Sequence, residues 1–293
     1  MQNTITAKHM KLYDEAFLTG CDETQAWMMH WFIKNFKKHS KKPLIFANFG
    51  VSNLSLNVIR ANCHAVMDMT KTPEKGWLNK PISMLECPSK KTVWIDTDCE
   101  VLDDIDGIFD LLEPEKLNMV KDEPWTKRSG STWHNSGVVG FIDKPIILHQ
   151  WRSACKTRPL SGNGDQEILH GMLNEITKIK YINDLPNEYN VLRIQTEVDK
   201  DYSGPIRIMH WTGYKGKKII NSKKSVISFD EQFEMFNLSN ILLKFFNKNS
   251  INITFDEISL KEKIDYGNDG RENILDRNNL SSKKIIKYLN KII

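Results

Sequence analysis

Two carboxylates spaced i, i+2 stand at the end of an apolar run, where Val93, Trp94 and Ile95 lead into Asp96, Thr97 and Asp98. In open α/β sheets, ligands bind beyond the carboxyl ends of the strands. Carboxylates placed there repel each other unless a cation lies between them. Hard oxygen ligands suit Mn²⁺ or Mg²⁺, which in turn bind diphosphate oxygens. Such an ion neutralises charge building on a departing diphosphate. In isolation the same two residues also read as a solvated strand end. A second pair, Asp104 and Asp106, follows shortly before the apolar stretch 108–112. Helix capping and first-turn charge account for that one.

Further residues invite chemistry. His210 closes another apolar run and stands next to Trp211; it reads either as a metal ligand or as a packed histidine. Lys215 and Lys217 follow Gly213, and a flexible ammonium between glycines suits a phosphate, although Lys218, Lys223 and Lys224 make the segment read equally as a solvated basic run. Asn135, Ser136 and Gly137 form a turn into a strand, and Asp165 after Gly164 fits a helix N-cap.

The elements that must carry these groups follow from periodicity. Residues 15–19 predict a buried strand ending at Gly20. Residues 24–38 predict a helix with Trp27, Met28, Trp31, Phe32 and Phe36 at helical spacing, and 43–48 a second strand before a turn at Gly50. Strand, helix and strand in that order make a βαβ unit and favour a parallel sheet. Residues 91–95, 136–142 and 206–210 predict more strands. Residues 165–176 predict a helix with Ile168, Leu169, Met172 and Leu173 on one face. Past about residue 225 the composition shifts to Asn, Lys, Ile and Phe. There 229–246 reads as a helix, 265–279 as a polar loop and 281–293 as a basic amphipathic helix. The chain thus divides into a main α/β domain, 1–224, and a helical extension, 225–293. In the last helix Ile285, Ile286, Leu289, Ile292 and Ile293 form a stripe among Lys283, Lys284, Lys287 and Lys291. Such a stripe packs on protein or makes weak contact with an anionic membrane surface.

The 293 residues suffice for one large domain with a small appendage. A net charge of +4 is too weak to argue for nucleic acid as a partner. The five scattered cysteines form no C-x-x-C pair, so reduced thiols and a cytoplasmic location are expected. Residues 1–14 lack the apolar core of a secretion signal, and no window approaches the length of a membrane span.

Four segments occur in a telling order: W-I-D-T-D-C-E-V-L from Trp94, N-S-G-V-V-G-F from Asn135, G-D-Q-E-I-L from Gly164 and M-H-W-T-G-Y-K-G-K from Met209. Together they resemble the family 8 glycosyltransferases, the glycogenin-like and lipopolysaccharide sugar transferase group, over about residues 14–218. The resemblance implies a GT-A fold with a mostly parallel sheet. It also implies transfer of a hexose from a UDP-sugar to a hydroxyl acceptor (a glycan, a lipid-linked sugar or a protein), with retention and with Mn²⁺ or Mg²⁺. On that resemblance Asp96, Asp98 and His210 hold the metal, and Asp96 also approaches the donor ribose. Asn135, Ser136 and Gly137 lie beside the donor sugar. Asp165 bonds sugar hydroxyls and Gln166 sits near the anomeric carbon, which makes them the catalytic pair. Gly213 and Lys215, or alternatively Lys217, face the diphosphate. Thr19 ends the first strand near the donor, Lys80 loosely matches a donor-binding lysine, and 185–190 matches a segment with a structural role. Two positions depart from the family. Thr24 stands where an aromatic usually stacks on uracil, with Trp27 the nearest ring, and His134 replaces the usual aromatic before Asn135.

No isolated carboxylate presents itself as a covalent nucleophile, which is compatible with a front-face mechanism. A nucleotidyltransferase of related fold would need a basic, glycine-rich loop after the first strand, whereas 19–25 is acidic and has one glycine. An inactive sugar-binding protein would have no need to keep both carboxylates, His210 and Asp165.

Overall fold

The computed structural model describes residues 12–74, 76–157 and 164–224, together with two short strands, Ile264–Tyr266 and Glu272–Ile274. The chain begins with β1 (Tyr13–Cys21), α1 (Met29–His39), β2 (Leu44–Asn48), α2 (Asn53–Asn62) and β3 (Ala65–Asp68). Both crossovers return parallel strands, β2 onto β1 and β3 onto β2. All five residues of β2 are buried, as a strand covered on both faces requires. Next come α3 (Lys80–Glu86), β4 (Ser89–Ile95), β5 (Cys99–Val101), β6 (Leu117–Lys121), α4 (Glu123–Ser129) and β7 (His134–Ile142). They are followed by α5 (Ile146–Thr157), α6 (Asp165–Met172), α7 (Glu175–Tyr181), β8 (Ile182–Asp184), β9 (Val191–Leu192), β10 (Ile208–His210) and α8 (Gly213–Lys224).

The main sheet has seven strands in the order β3-β2-β1-β4-β7-β6-β8. Only β7 runs against its neighbours, antiparallel to both β4 and β6. The carboxyl ends of β4 and β6 and the amino end of β7 therefore share one edge, and that edge carries the site. A smaller sheet, β5-β10-β9, brings the end of β10 to the same place. The two faces of β1 feed two cores: Phe17 packs with Phe36 and Phe109 on one side, while Ala16 and Leu18 join Trp94, Phe141 and Trp151 on the other.

Several boundaries differ from expectation for local reasons. β1 continues through Gly20, because a residue without Cβ lets Ala47 O approach; a Cβ there would lie 2.5 Å from that oxygen. The helix expected over 24–38 starts as a 3₁₀ turn, Ala26–Met28, after Asp22 has bound the N–H and hydroxyl of Thr24. The helix expected over 165–176 breaks after Met172, because Asn174 and Thr177 form a reciprocal capping box that starts α7. Within 265–279, expected as loop, Glu272–Ile274 pairs antiparallel with Ile264–Tyr266. The expected helices 229–246 and 281–293 lie outside the described residues. Among the described residues no helix is long and apolar enough to cross a membrane.

Candidate active site

One ammonium organises the donor side of the edge. Lys80 is the first residue of α3, with Pro81 behind it, and is buried. Its Nζ lies 3.0 Å from Asp96 Oδ1 and 3.1 Å from Asp165 Oδ2. It donates to Ser136 O at 3.0 Å and Ser136 Oγ at 3.2 Å. Trp94 Nε1 donates to Asp96 Oδ1 at 2.6 Å, and Asp96 N donates to Gly137 O at 2.8 Å. Burial pushes the Lys80 pKa down, but Asp165 and Asp96 outweigh it, so the ammonium is held above its ordinary value and stays charged. Asp96 moves up: burial dominates, Lys80 offsets part of it and the Asp98 charge adds to it.

Asp98 has a different partner. His210 Nε2 lies 3.2 Å from Asp98 Oδ1. On the other side of the ring, Nδ1 faces Asn135 Oδ1 at 3.1 Å and Asn190 Oδ1 at 3.0 Å. The Asn135 oxygen is identified by the donors it accepts from, Gly137 N and Asn190 Nδ2, both at 2.9 Å. Amide oxygens facing Nδ1 require its hydrogen, which leaves Nε2 directed at Asp98. Gly137 has no substitute here, because a Cβ would collide with the His210 ring. Burial lowers the His210 pKa, yet Asp98 outweighs it and the net direction is up. Burial raises that of Asp98, and His210 with a contribution from Lys217 reverses it.

Donor atoms of Asp98, Cys99 and His210 all lie within 4.8 Å of one another. Burial, then Asp98 and Asp96, push the Cys99 thiol well above its usual range, so it stays protonated and is a poor ligand. The usable donors are carboxylate oxygen and imidazole nitrogen, a set that fits Mn²⁺ or Mg²⁺.

A third network holds Gln166. Its Oε1 accepts from Ser136 N at 3.1 Å and its Nε2 donates to Asp122 Oδ2 at 3.2 Å; that oxygen also accepts from Asn135 Nδ2 at 3.1 Å. Lys80, Asp96, Asn135, Ser136, Gly137, Asp165, Gln166, Asp98 and His210 thus form one connected cluster. Asp165 is not the N-cap of α6, which is Gly164; it is the first helical residue, and its carboxylate turns to Lys80. Thr19 is fully buried within β1 with its hydroxyl unpartnered. Gly213 has a φ of +72°, which favours glycine, and opens α8; Lys215 is exposed there, while Lys217 is the one whose charge reaches Asp98. Thr24 is spent on the Asp22 turn. A ring does stand at this edge: Phe49, after β2, stacks on Trp94 at 6.3 Å and 11°.

Sequence reasoning missed Asp122, Asn190 and the indole of Trp94. Asp122 carried a readable signal, an N-cap before Glu123 and Pro124, but its second oxygen serves Gln166 from 44 residues away. Asn190 lay in a segment assigned only a structural role, and Trp94 read as strand core.

No protein-family model matches the chain, and no curated protein does. Solved structures match its fold. The galactosyltransferase LgtC, in complex with donor and acceptor sugar analogues, gives a TM-score of 0.51 at 12% identity over 75% of this chain and 99% of its own. The glycosyltransferase GlyE of Streptococcus pneumoniae TIGR4 gives 0.56 at 12% identity over 83% and 65%. The bifunctional glycosyltransferase WbbM gives 0.52 at 13% identity over 78% of this chain and 52% of its own. The chain has the GT-A fold of glycosyltransferases, as its four motifs implied.

Proposed function

We propose that this protein is a metal-dependent glycosyltransferase that moves a hexose from a UDP-sugar to a hydroxyl acceptor with retention. The observation that carries the reading is one buried ammonium, Lys80, within 3.2 Å of Asp96, Ser136 and Asp165, with Asp96 joined through Gly137 and Asn135 to the Asp98–His210 pair at the ligand-binding edge of the sheet. Mn²⁺ or Mg²⁺ held by Asp96, Asp98 and His210 would neutralise charge on the diphosphate.

The chain's own groups do the rest. Lys217, helped by Lys215, supplies positive charge along the departing diphosphate. The ring of Phe49 offers a face to uracil. Asp165, fixed by Lys80, accepts hydrogen bonds from sugar hydroxyls, and the Gln166 amide borders the anomeric carbon. The bond from C1 to the diphosphate oxygen breaks while a bond from the acceptor oxygen forms on the same face; the acceptor proton leaves on a diphosphate oxygen. Each carboxylate of the cluster is already engaged: Asp96 and Asp165 by Lys80, Asp98 by His210, and Asp122 by Asn135, Gln166 and Trp125 N. That engagement favours the front-face route over a covalent glycosyl-carboxylate.

Titration calorimetry with UDP tests the reading. UDP should bind in Mn²⁺ and lose at least about tenfold in affinity in EDTA, a change of about 1.4 kcal/mol. A panel of UDP-hexoses should then show metal-dependent hydrolysis whose first product keeps the donor anomer by NMR. Metal-independent binding, or release of pyrophosphate from UTP with a sugar phosphate, would replace this reading.

A further inference from the structure

We infer that the exposed face of Trp125 is an acceptor platform and that the acceptor presents a sugar ring to it. The inference rests on the glycosyltransferase reading above and adds the class of acceptor. Trp125 lies on α4, which leaves the carboxyl end of β6 and so stands on the same edge as Asp96. It is 49% exposed. About half of its surface is thus open to a ligand at the edge where the cluster lies.

The ring is held rather than free. Trp133 lies behind it at 6.1 Å and 35°, and Trp133 in turn stacks on His170 at 3.5 Å and 12°. The His170 pKa is lowered, by burial first and then by Lys178, which favours a neutral imidazole in the stack. Two hydrogen bonds fix the spacing: Asp122 N donates to Trp133 O at 2.9 Å, and Trp133 N donates to the Thr126 hydroxyl at 2.9 Å. Ion pairs from Lys127 to Asp201 and from Arg128 to Asp199 hold the outer face of α4.

The platform is also tied to the reacting end. Asp122 Oδ1 accepts from Trp125 N at 3.1 Å, and its other oxygen accepts from Gln166 at 3.2 Å. One carboxylate therefore holds both the main chain that carries the ring and the side-chain amide of Gln166. The chemistry around the ring selects the occupant. A pyranose has one face of C–H groups, which an indole covers, and a rim of hydroxyls, which carboxylates and amides read. Glu123, Lys127 and Arg128 share the helix with Trp125, so a lipid chain would find a single ring amid charges rather than a continuous apolar groove.

The test uses the full chain with Mn²⁺, the UDP-hexose it hydrolyses fastest, and p-nitrophenyl glycosides and free disaccharides as acceptors. At least one glycoside should raise turnover above that with water. Trp125→Ala should raise the KM for that glycoside at least about tenfold, against a much smaller change in donor KM, and should shift flux toward hydrolysis. Trp125→Phe should restore most of the transfer. Ile146→Ala, which removes an exposed apolar side chain past the carboxyl end of β7, away from the edge that carries the cluster, should leave the glycoside KM unchanged. An unaltered glycoside KM in Trp125→Ala overturns the platform, as does a loss that falls equally on UDP affinity. Transfer to a serine peptide or a long-chain alcohol but to no glycoside also overturns it. A wild type that hydrolyses no UDP-sugar removes the glycosyltransferase reading, and the platform falls with it.

Discussion

Asp96 and Asp98 close a central strand, whereas Asp104 and Asp106, the same two letters at the same spacing, surround the start of a 3₁₀ turn on the surface. The first pair meets side chains that carry charge: Lys80 at 3.0 Å from Asp96 and His210 at 3.2 Å from Asp98. The second pair meets mostly hydrogen-bond donors of the local scaffold. Asp104 Oδ1 accepts from Asp106 N at 2.9 Å, and Asp106 accepts from Ser40 Oγ at 2.6 Å and Lys41 N at 3.1 Å. The spacing of two aspartates therefore says little. What separates a site from a turn is the cation that each carboxylate is brought against, and the sheet decides that.

The largest effects should follow from breaking the first pair. Asp98→Asn, or Asp96→Asn, should lower turnover at least about a hundredfold, the scale seen when one group stabilising transition-state charge is removed. Circular dichroism should show the fold retained. Turnover that survives both changes would end the comparison, because neither pair would then be the site. Lys80→Met sharpens it in the other direction. It leaves Asp96 and Asp165 buried without a counter-charge and should destabilise the protein by about 3–5 kcal/mol in urea unfolding. Lys80→Arg should recover part of this. Next to the second pair, the exposed contact of Arg207 Nη1 with Asp103, at 3.6 Å, should be worth less than about 1 kcal/mol in a double-mutant cycle.

Much of the first pair's setting was legible in the sequence. An apolar run ending in aspartate at a strand terminus is a local pattern, and it placed β4 and Asp96 correctly. The four ordered motifs implied the fold and contain the side chains of the connected cluster apart from Lys80, Asp122 and Asn190; the Trp94 indole lies within the first motif but read as strand core. What periodicity leaves open is pairing across the sheet. β7 reads like any other buried strand, yet it runs antiparallel, and that reversal brings Asn135, Ser136 and Gly137 to the edge where Asp96 ends. Lys80 matched its family position only loosely, because a lysine before a proline at the head of a short helix has no local reason to be buried. Its role appears only once Asp96 and Asp165 approach it from two other elements.

Effects on the metal-dependent step should be intermediate in size. His210→Ala should remove the Mn²⁺-dependent tightening of UDP and, because it takes the counter-charge from partly buried Asp98, should also lower the melting temperature of the metal-free protein. Asn190→Ala removes an oxygen that faces Nδ1 and the amide that donates to Asn135 Oδ1, and should weaken that tightening by about 10–100-fold. If Asn190→Ala costs nothing, the ring is oriented by Asn135 alone. In the metal-free protein the same histidine gives a pH signature. Its folded pKa lies above its ordinary 6.5, so the stability it contributes is fully present below that value and is lost as pH rises through the folded one. Asp98 has the opposite sign: its folded pKa lies below the ordinary 3.8, so its contribution is present above 3.8 and lost as pH falls further. Melting in EDTA should therefore decline with rising pH above about 6.5 in the wild type, and His210→Gln should flatten that limb. A decline that persists unchanged in His210→Gln would assign it to another group.

The smallest effect should come from the second pair. Asp104 is exposed, and its carboxylate accepts one bond, from the N–H of Asp106, at the head of the 3₁₀ turn Asp106–Leu111. The amide oxygen of Asn accepts the same bond, so Asp104→Asn should change stability by less than about 0.5 kcal/mol, and Asp104→Ala, which leaves that N–H to water, by about 1 kcal/mol. The Arg207 bond to this residue is to the main-chain carbonyl and is unaffected by either change. Neither variant touches Lys80, His210 or the Asp96 turn, so the KM and kcat for the donor should match the wild type. Urea titration and donor kinetics on the two variants, run beside Asp98→Asn, give the comparison directly. Loss of turnover in Asp104→Asn on the scale expected for Asp98→Asn would mean that the surface pair, not the strand-end pair, carries the metal.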